Sequence, residues 1–358
     1  MAALESAEIK LWIYEGQPLT YIGSNPNYTI NKTVIPGESV ILFEISELIK
    51  DYIDVYFDGN YDTAKLSAWA SWEITNTFDD ATTNTSKGTR LVTLGYGYFE
   101  DEINPQLDSP LQQSNTCIYW KEGEPVRIPL YKEDGLYSVS YYDGQTYQTP
   151  DTYDGVAFPL KADTTVYKAD TELLTADMTK IDLPKEPEDA TPPTVTANEV
   201  TITTEDGRSF TVYINFIEEC KNTPYKVTFI NKFGALQDIW FFGRRMENAN
   251  VSRDQYKINT IQAASNASSY ATSSPTDRLF NVNSKKSLIL NTGFICDDYN
   301  EVIQQLMQSE YVWIHEGGKV FPVNPTDSEI AYKDHRYDKL LNFTVNFEYA
   351  YNELNSVR

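Results

Sequence analysis

Two histidines, His315 and His335, and three cysteines, Cys117, Cys220 and Cys296, are all the imidazole and thiol that 358 residues offer. Nucleophilic hydrolysis needs a Ser or Cys beside a general base, itself oriented by an acid. No Gly-x-Ser-x-Gly elbow occurs, and both histidines fall in polar, turn-rich surroundings, so they read as surface residues rather than bases. The cysteines are odd in number and lack Cys-x-x-Cys spacing, which suits reduced, half-buried thiols better than a zinc cluster or a disulfide framework. Carboxylates are plentiful, but 52 Asp and Glu guarantee many chance pairs. Glycoside hydrolysis would need one pair held across a cleft, and no spacing singles one out. Asp54, Asp58, Asn60 and Asp62 surround Gly59 without the calcium-loop pattern and read as a hairpin turn. No glycine-rich phosphate loop is present. The expectation is a protein that is not an enzyme and carries no metal or cofactor.

Charge narrows the partners. With 29 Lys and Arg against 52 Asp and Glu, the net charge is −23. Such a surface repels phosphates, so sequence-specific nucleic-acid binding is not expected. No apolar run approaches the length of a membrane span, and the first residues lack the cationic and apolar segments of a secretory leader. A cytosol-made protein without membrane insertion is the expectation.

The elements that would position any site are mostly strands. Tyr occurs 26 times and aromatics make up 13% of the chain, a composition that fits pleated, half-buried sheets. The spacing predicts a mainly β fold of two or three sandwich- or barrel-like domains with a few short helices, near 45–53 and 297–309. In the first helix, Ile45, Leu48, Ile49, Tyr52 and Ile53 follow helical spacing, with Ser46 as a candidate cap. In the second, Val302, Ile303, Leu306 and Met307 share a face behind Asp297 and Asp298.

Strand 66–75 sorts Leu66, Ala68, Ala70, Trp72 and Ile74 to one face and leaves Trp69 on an otherwise polar one. Trp69 is therefore expected to project as surplus apolar surface. Asp58-Gly59, Asp134-Gly135, Asp143-Gly144, Asp154-Gly155 and Asp206-Gly207 mark tight turns. Hairpins are expected about 205–208 and about Gly317-Gly318, and the closing run Leu341 to Tyr351 alternates as an interior strand. Four segments result: an N-terminal β domain 1–113, a Tyr-rich β block 114–181, a Pro- and acid-rich linker 182–197, and a C-terminal β domain 198–358. Residues 262–275, small and polar, read as a mobile surface loop.

One segment carries more than its local physics. Strands Tyr225–Ile230 and Leu236–Phe242 are joined by Asn231-Lys232-Phe233-Gly234, a reversal that requires glycine at its last position. This strand, its turn and the aromatic run through Trp240 resemble virion tail and baseplate proteins of phages that infect Bacteroidetes-type bacteria. Tyr299–Met307 with Ser309-Glu310-Tyr311-Val312-Trp313, the closing Leu341 to Tyr351, and Phe43 to Tyr52 are similar to the same group. The resemblance implies a cofactor-free structural component of the virion tail, made in the host cytoplasm. A distal-tail-like protein is its nearest type: a ring, sixfold by analogy, around the DNA conduit between tube and baseplate. Its partners would be its own copies and other tail proteins. Trp69, Asn231, Gly234 and Trp240 are the assembly and turn candidates. The alternative is a host-surface glycan-binding module using Tyr141, Tyr142, Tyr147 and Tyr153, since aromatic rings stack on sugar faces.

Overall fold

A computed structural model of the chain describes residues 3–14, 25–61, 65–102, 111–112, 118–121, 124, 128–131, 138–142, 151–152, 161–162, 178–182, 199–203, 206–218, 221–263, 268–269, 271–296, 298–327 and 340–354. The fold is mainly β, in several antiparallel sheets. The first sheet has the order β2-β1-β3-β4, from β1 (Leu4–Tyr14), β2 (Tyr28–Thr33), β3 (Ser67–Phe78) and β4 (Thr83–Thr93). A short helix, α1 (Ser46–Lys50), crosses one face. Its Ile49, with Ile53 just beyond, packs on Leu11, Ile13, Ala68 and Ala70. Ser46 opens this helix but does not cap it. Its N–H and hydroxyl both donate to the Glu44 carboxylate instead.

The middle of the chain forms short strands: β5 (Ile118–Lys121), β6 (Pro129–Tyr131), β7 (Ser138–Tyr142), β8 (Asp151–Thr152), β9 (Lys161–Ala162) and β10 (Met178–Asp182). The hairpin β11 (Glu199–Thr203) and β12 (Ser209–Ile217) turns at Asp206-Gly207, where Gly207 takes φ +84° and the Arg208 N–H donates to Asp206. This hairpin joins strands of the 114–181 block in one five-stranded sheet, β5-β12-β11-β7-β8, with β5 parallel to β12. Most of 182–197, and the turns at 134, 143 and 154, lie outside the described residues.

The C-terminal part contributes β13 (Tyr225–Ile230), β14 (Leu236–Phe241), β15 (Met246–Lys257), β16 (Gln262–Ala263), β17 (Ser268–Ser269), β18 (Asp277–Asn291) and β19 (Ile295–Cys296). Then come α2 (Tyr299–Gln308), β20 (Val312–Glu316), β21 (Lys319–Pro325), β22 (Leu340–Leu341) and β23 (Thr344–Tyr349). Seven of these strands make the largest sheet, β14-β13-β20-β21-β23-β18-β15. Helix α2 lays Val302, Ile303 and Leu306 on one face of it, against Val227, Phe229, Leu288, Leu290 and Val345. The β13–β14 and β20–β21 hairpins turn at Asn231–Gly234 and Gly317-Gly318 as the spacing predicts, and β23 lies inside the sheet between β21 and β18. No helix among the described residues is long and apolar enough to cross a membrane.

Trp69 does not project. It is 8% exposed, in a core cluster with Phe57, Leu66, Leu91, Ile230, Leu236 and Trp313. Residues Ser67 through Ser71 are all buried, because the face of β3 away from α1 is covered by the C-terminal sheet. The alternation was read correctly, but around Trp69 the second face is polar only in the small Ser67 and Ser71, which pack inward, while Glu73 and Thr75 further along stay half-exposed.

Candidate functional site

The four candidates converge on seams between sheets. Asn231 is fully buried, and its side chain makes four hydrogen bonds. Its side-chain NH2 donates to the Leu111 carbonyl at 2.8 Å and to Gln237 Oε1 at 3.0 Å. Its Oδ1 accepts from the Phe233 and Ala235 N–H groups at 3.0 and 3.1 Å. The side chain thus closes its own turn while reaching across to a separate segment. Gly234 holds φ +77°, and a Cβ there would stand 2.6 Å from Thr93 Cβ and 2.8 Å from the Gly95 nitrogen. Both the backbone conformation and the close approach of 93–95 therefore require glycine.

Around this turn the chain is fastened on two sides. The Tyr96 N–H donates to the Lys232 carbonyl at 2.8 Å, and the Thr93 hydroxyl to the Phe233 carbonyl at 2.9 Å. On the helix side, the Lys232 N–H donates to Gln305 at 3.2 Å and its ammonium to Glu301 at 2.6 Å. Trp240 belongs to a second seam. It is buried edge-to-face with Trp120 of β5 at 6.1 Å, with Lys121 above its ring at 5.5 Å. The candidates hold the molecule's own sheets together and offer little surface to a partner.

A polar cluster was not singled out from the sequence. Asp238 stands directly across from Thr228 in the β13–β14 ladder. Its carboxylate accepts from the Thr228 hydroxyl at 2.6 Å and from the Tyr61 hydroxyl at 2.6 and 2.7 Å. The Lys226 ammonium lies 3.6 Å away and also donates to Tyr61 at 3.2 Å. His315 Nε2 is 2.8 Å from the Thr228 hydroxyl, so this histidine is half-buried and engaged, not a surface residue.

Hydroxyl, imidazole and carboxylate meet here, but in the wrong order for catalysis. A nucleophile gives its proton to the imidazole. Here the Thr228 hydroxyl donates its hydrogen bond to the Asp238 carboxylate rather than to the imidazole, and Thr228 is wholly buried. The arrangement braces the 57–61 segment against the sheet, with Phe57 edge-on to both Trp313 and His315. One signal could have found it: a single Asp in the apolar run Leu236 to Phe242 is a buried carboxylate that must be matched.

The remaining candidate is a concavity. A groove of about 860 Å³ runs between α1, the Trp72 and 90–96 side of the first sheet, the Lys232-Phe233 turn and the end of α2 at Gln308 to Tyr311. Exposed apolar side chains lie in the segments that lead to it, notably Val40, Leu42 (79% exposed) and Phe99. At Asp58–Asn60 the chain makes the expected turn, with Gly59 at φ +99° and the Asn60 N–H on Asp58 at 2.9 Å. Among the described residues no cluster of His, Cys, Asp and Glu has metal-binding geometry. Cys296 is half-buried in β19; Cys117, Cys220 and His335 lie outside the described residues, as do Tyr147 and Tyr153, while Tyr141 and Tyr142 close β7. Compared with known proteins, the chain matches no family model, no curated protein and no solved structure. The fold is that of a mainly β protein in which, among the described residues, the polar clusters around Asn231 and Asp238 brace internal seams.

Proposed function

We propose that the protein is a structural component of a phage tail or baseplate, assembling as a homo-oligomeric ring around the DNA conduit and joining tube to baseplate. The observation that carries this reading is apolar surface left in water beside a groove: Ile35, Val40, Leu42 and Phe99 are exposed on segments of the N-terminal part. Such patches on a soluble protein mark interaction sites. Trp69, the residue first expected to supply that surface, does not. The segments whose sequence resembles tail proteins are α1, the β13–β14 hairpin, α2 with β20, and β23. These elements carry the groove and the main sheet. A net charge of −23 suits the wall of a conduit that must pass a polyanion without binding it.

Negative-stain imaging and native mass of the purified chain across micromolar concentrations test the reading. Rings of one mass are expected. A strict monomer throughout, together with a single copy lacking rotational neighbours in the assembled particle, overturns it.

A further inference from the structure

The β15–β18 ribbon leaves the seven-stranded sheet as an arm. β23 pairs with β18 only over Ser287–Asn291. Beyond that point β15 and β18 pair with one another alone, down to Lys257 opposite Asp277. Ten residues of ribbon at about 3.4 Å each reach roughly 34 Å from the sheet. A two-stranded ribbon is marginal by itself in water. This one is held at its root, where Lys285 pairs with Glu348 at 2.9 Å and Lys286 with Glu353 at 3.2 Å.

The outer side of β15 is an open sheet edge. Among the described residues β15 has a strand neighbour on one side only, and all twelve of its residues are exposed. Alternate residues therefore turn their N–H and C=O groups toward water. Edges are commonly blunted by proline, bulges or short length. β15 contains neither Pro nor Gly, and the ribbon's register shift places its extra residue, Phe280, in β18. The sheet's other edge is closed: β14 is buried except at Asp238, and Trp120 covers Trp240.

We propose that the β15 edge docks β15 of a second copy of this chain, antiparallel across a two-fold axis, so that two seven-stranded sheets become one. The strand's charges select that occupant. Glu247 and Lys257 mark its two ends with Arg253 and Asp254 between, so β15 is neutral in a chain of net charge −23. A parallel copy would set Glu against Glu and Lys against Lys, whereas an antiparallel one reverses the ends.

The register follows from the same residues. Opposite residues of an antiparallel ladder share a face, so the axis passes through a residue rather than between two. An axis through Arg253 or Asp254 sets like charges face to face, which is destabilising. One through Val251 turns Lys257 toward Arg245. One through Ser252 puts Glu247 opposite Lys257 and Asn250 opposite Asp254, each pair twice. It also lays the Arg253 stem across Val251 and brings Tyr256 diagonal to Met246 of the second copy, within reach of an aromatic side chain. Residues 247–257 of both copies then pair throughout. β4, a long edge of the first sheet, carries Lys87 and Arg90 without an acid, so no register makes it self-complementary. The joint goes beyond the ring proposed above and does not depend on it. A two-fold contact closes at two copies; on a ring it would tie one ring to a second.

The test uses full-length chain in sedimentation and native mass from micromolar to submillimolar concentration. Wild type is expected to dimerise, or to double the mass of any ring. Lys257→Glu turns both Glu–Lys pairs into Glu–Glu pairs and should weaken the pairing about tenfold or more. Ser252→Asp and Ser252→Lys each oppose like charges on the axis and should weaken it about threefold or more. An equimolar mixture of these two should restore it as a heterodimer, because Asp then faces Lys. All three positions of change are exposed, and melting curves check the fold; should Lys257→Glu perturb it, the Ser252 pair carries the test. Variants that pair as tightly as wild type overturn the joint and leave the ring standing. Weakened Ser252 variants whose mixture does not recover overturn it too. Rings of a single, undoubled mass at every concentration overturn the joint alone, as does a wild-type chain that stays monomeric while rotational neighbours are seen in the assembled particle.

Discussion

Asn231 and Gly234 act together at the turn where three parts of the chain meet, and each is irreplaceable for a different reason. Removing the Asn231 side chain leaves the Leu111 carbonyl and the Phe233 and Ala235 N–H groups buried without that partner. Asn231→Ala should cost about 3 kcal/mol, since each stranded buried group costs about 1–3 kcal/mol. Asn231→Asp should recover little, because it keeps the acceptor but turns a carboxylate toward two oxygens. Gly234→Ala meets both the strain of positive φ and the 93–95 backbone, so a loss of about 2–4 kcal/mol is expected in urea unfolding. A loss below 0.5 kcal/mol for either would show that the turn is not a fixed joint.

Glu316 gives a pH signature at the same scale. Burial pushes its carboxyl up, but hydrogen bonds from Arg245 at 2.7 Å and Tyr349 at 3.0 Å outweigh this and hold it below the ordinary carboxylate value. A group lowered in the folded state stabilises above its unfolded pKa and loses that contribution as pH falls through the folded one. Glu316→Gln should therefore be less stable than wild type near pH 7, with the difference closing below about pH 4. Partial exposure keeps the effect within about 1 kcal/mol. Melting temperatures of the pair from pH 3 to 7 measure it.

Elements differ in how well they are covered, and the difference is measurable. In the first sheet Trp72 lies across from Gly88, and a Cβ at Gly88 would fall 2.4 Å from the indole ring. The glycine is thus a seat for the ring, and an aromatic covering a cross-strand glycine helps pin register. Gly88→Val should unseat Trp72 and destabilise by about 1–3 kcal/mol, with a red-shifted tryptophan emission. The arm is the opposite case. Strands β13, β20 and β23 have neighbours on both sides and a packed face, whereas residues 249–257 of β15 have neither. Amide exchange should be orders of magnitude faster in that stretch than in β13 and should slow on assembly. Equal protection in the dilute monomer would show that the ribbon is covered by the chain itself.

At the scale of the molecule, contact and charge oppose one another. Apolar surface favours contact between copies, but two bodies of −23 repel over longer distances. Salt shortens the range of that repulsion to about 8 Å at physiological ionic strength. This removes mainly the long-range repulsion, while the apolar part of the joint is unaffected. Assembly should therefore be weak at roughly 10 mM salt and stronger at roughly 150 mM, read as native mass at fixed protein concentration. A steady weakening with salt would mean that the joint is held by charge alone.

The amino-acid sequence by itself determined the β class, α2, the three hairpins at 206–207, 231–234 and 317–318, and the interior position of β23. Each rests on a local rule: a period of two or 3.6, or a glycine where the chain must reverse. It also determined which residue of the 231–234 turn must be glycine. Burial on a second face was beyond it. The serines around Trp69 looked like a solvent face, and only the packing of the C-terminal sheet on β3 turned them inward. The bond between His315 and Thr228 was hidden for the same reason, since residues 87 apart meet only once β13 and β20 pair. The arm was missed for the converse reason. A strand with both faces in water has no hydrophobic period, so Met246–Lys257 carries no pattern to read. Its partner in β18 and the sheet at its root decide that it is a strand at all.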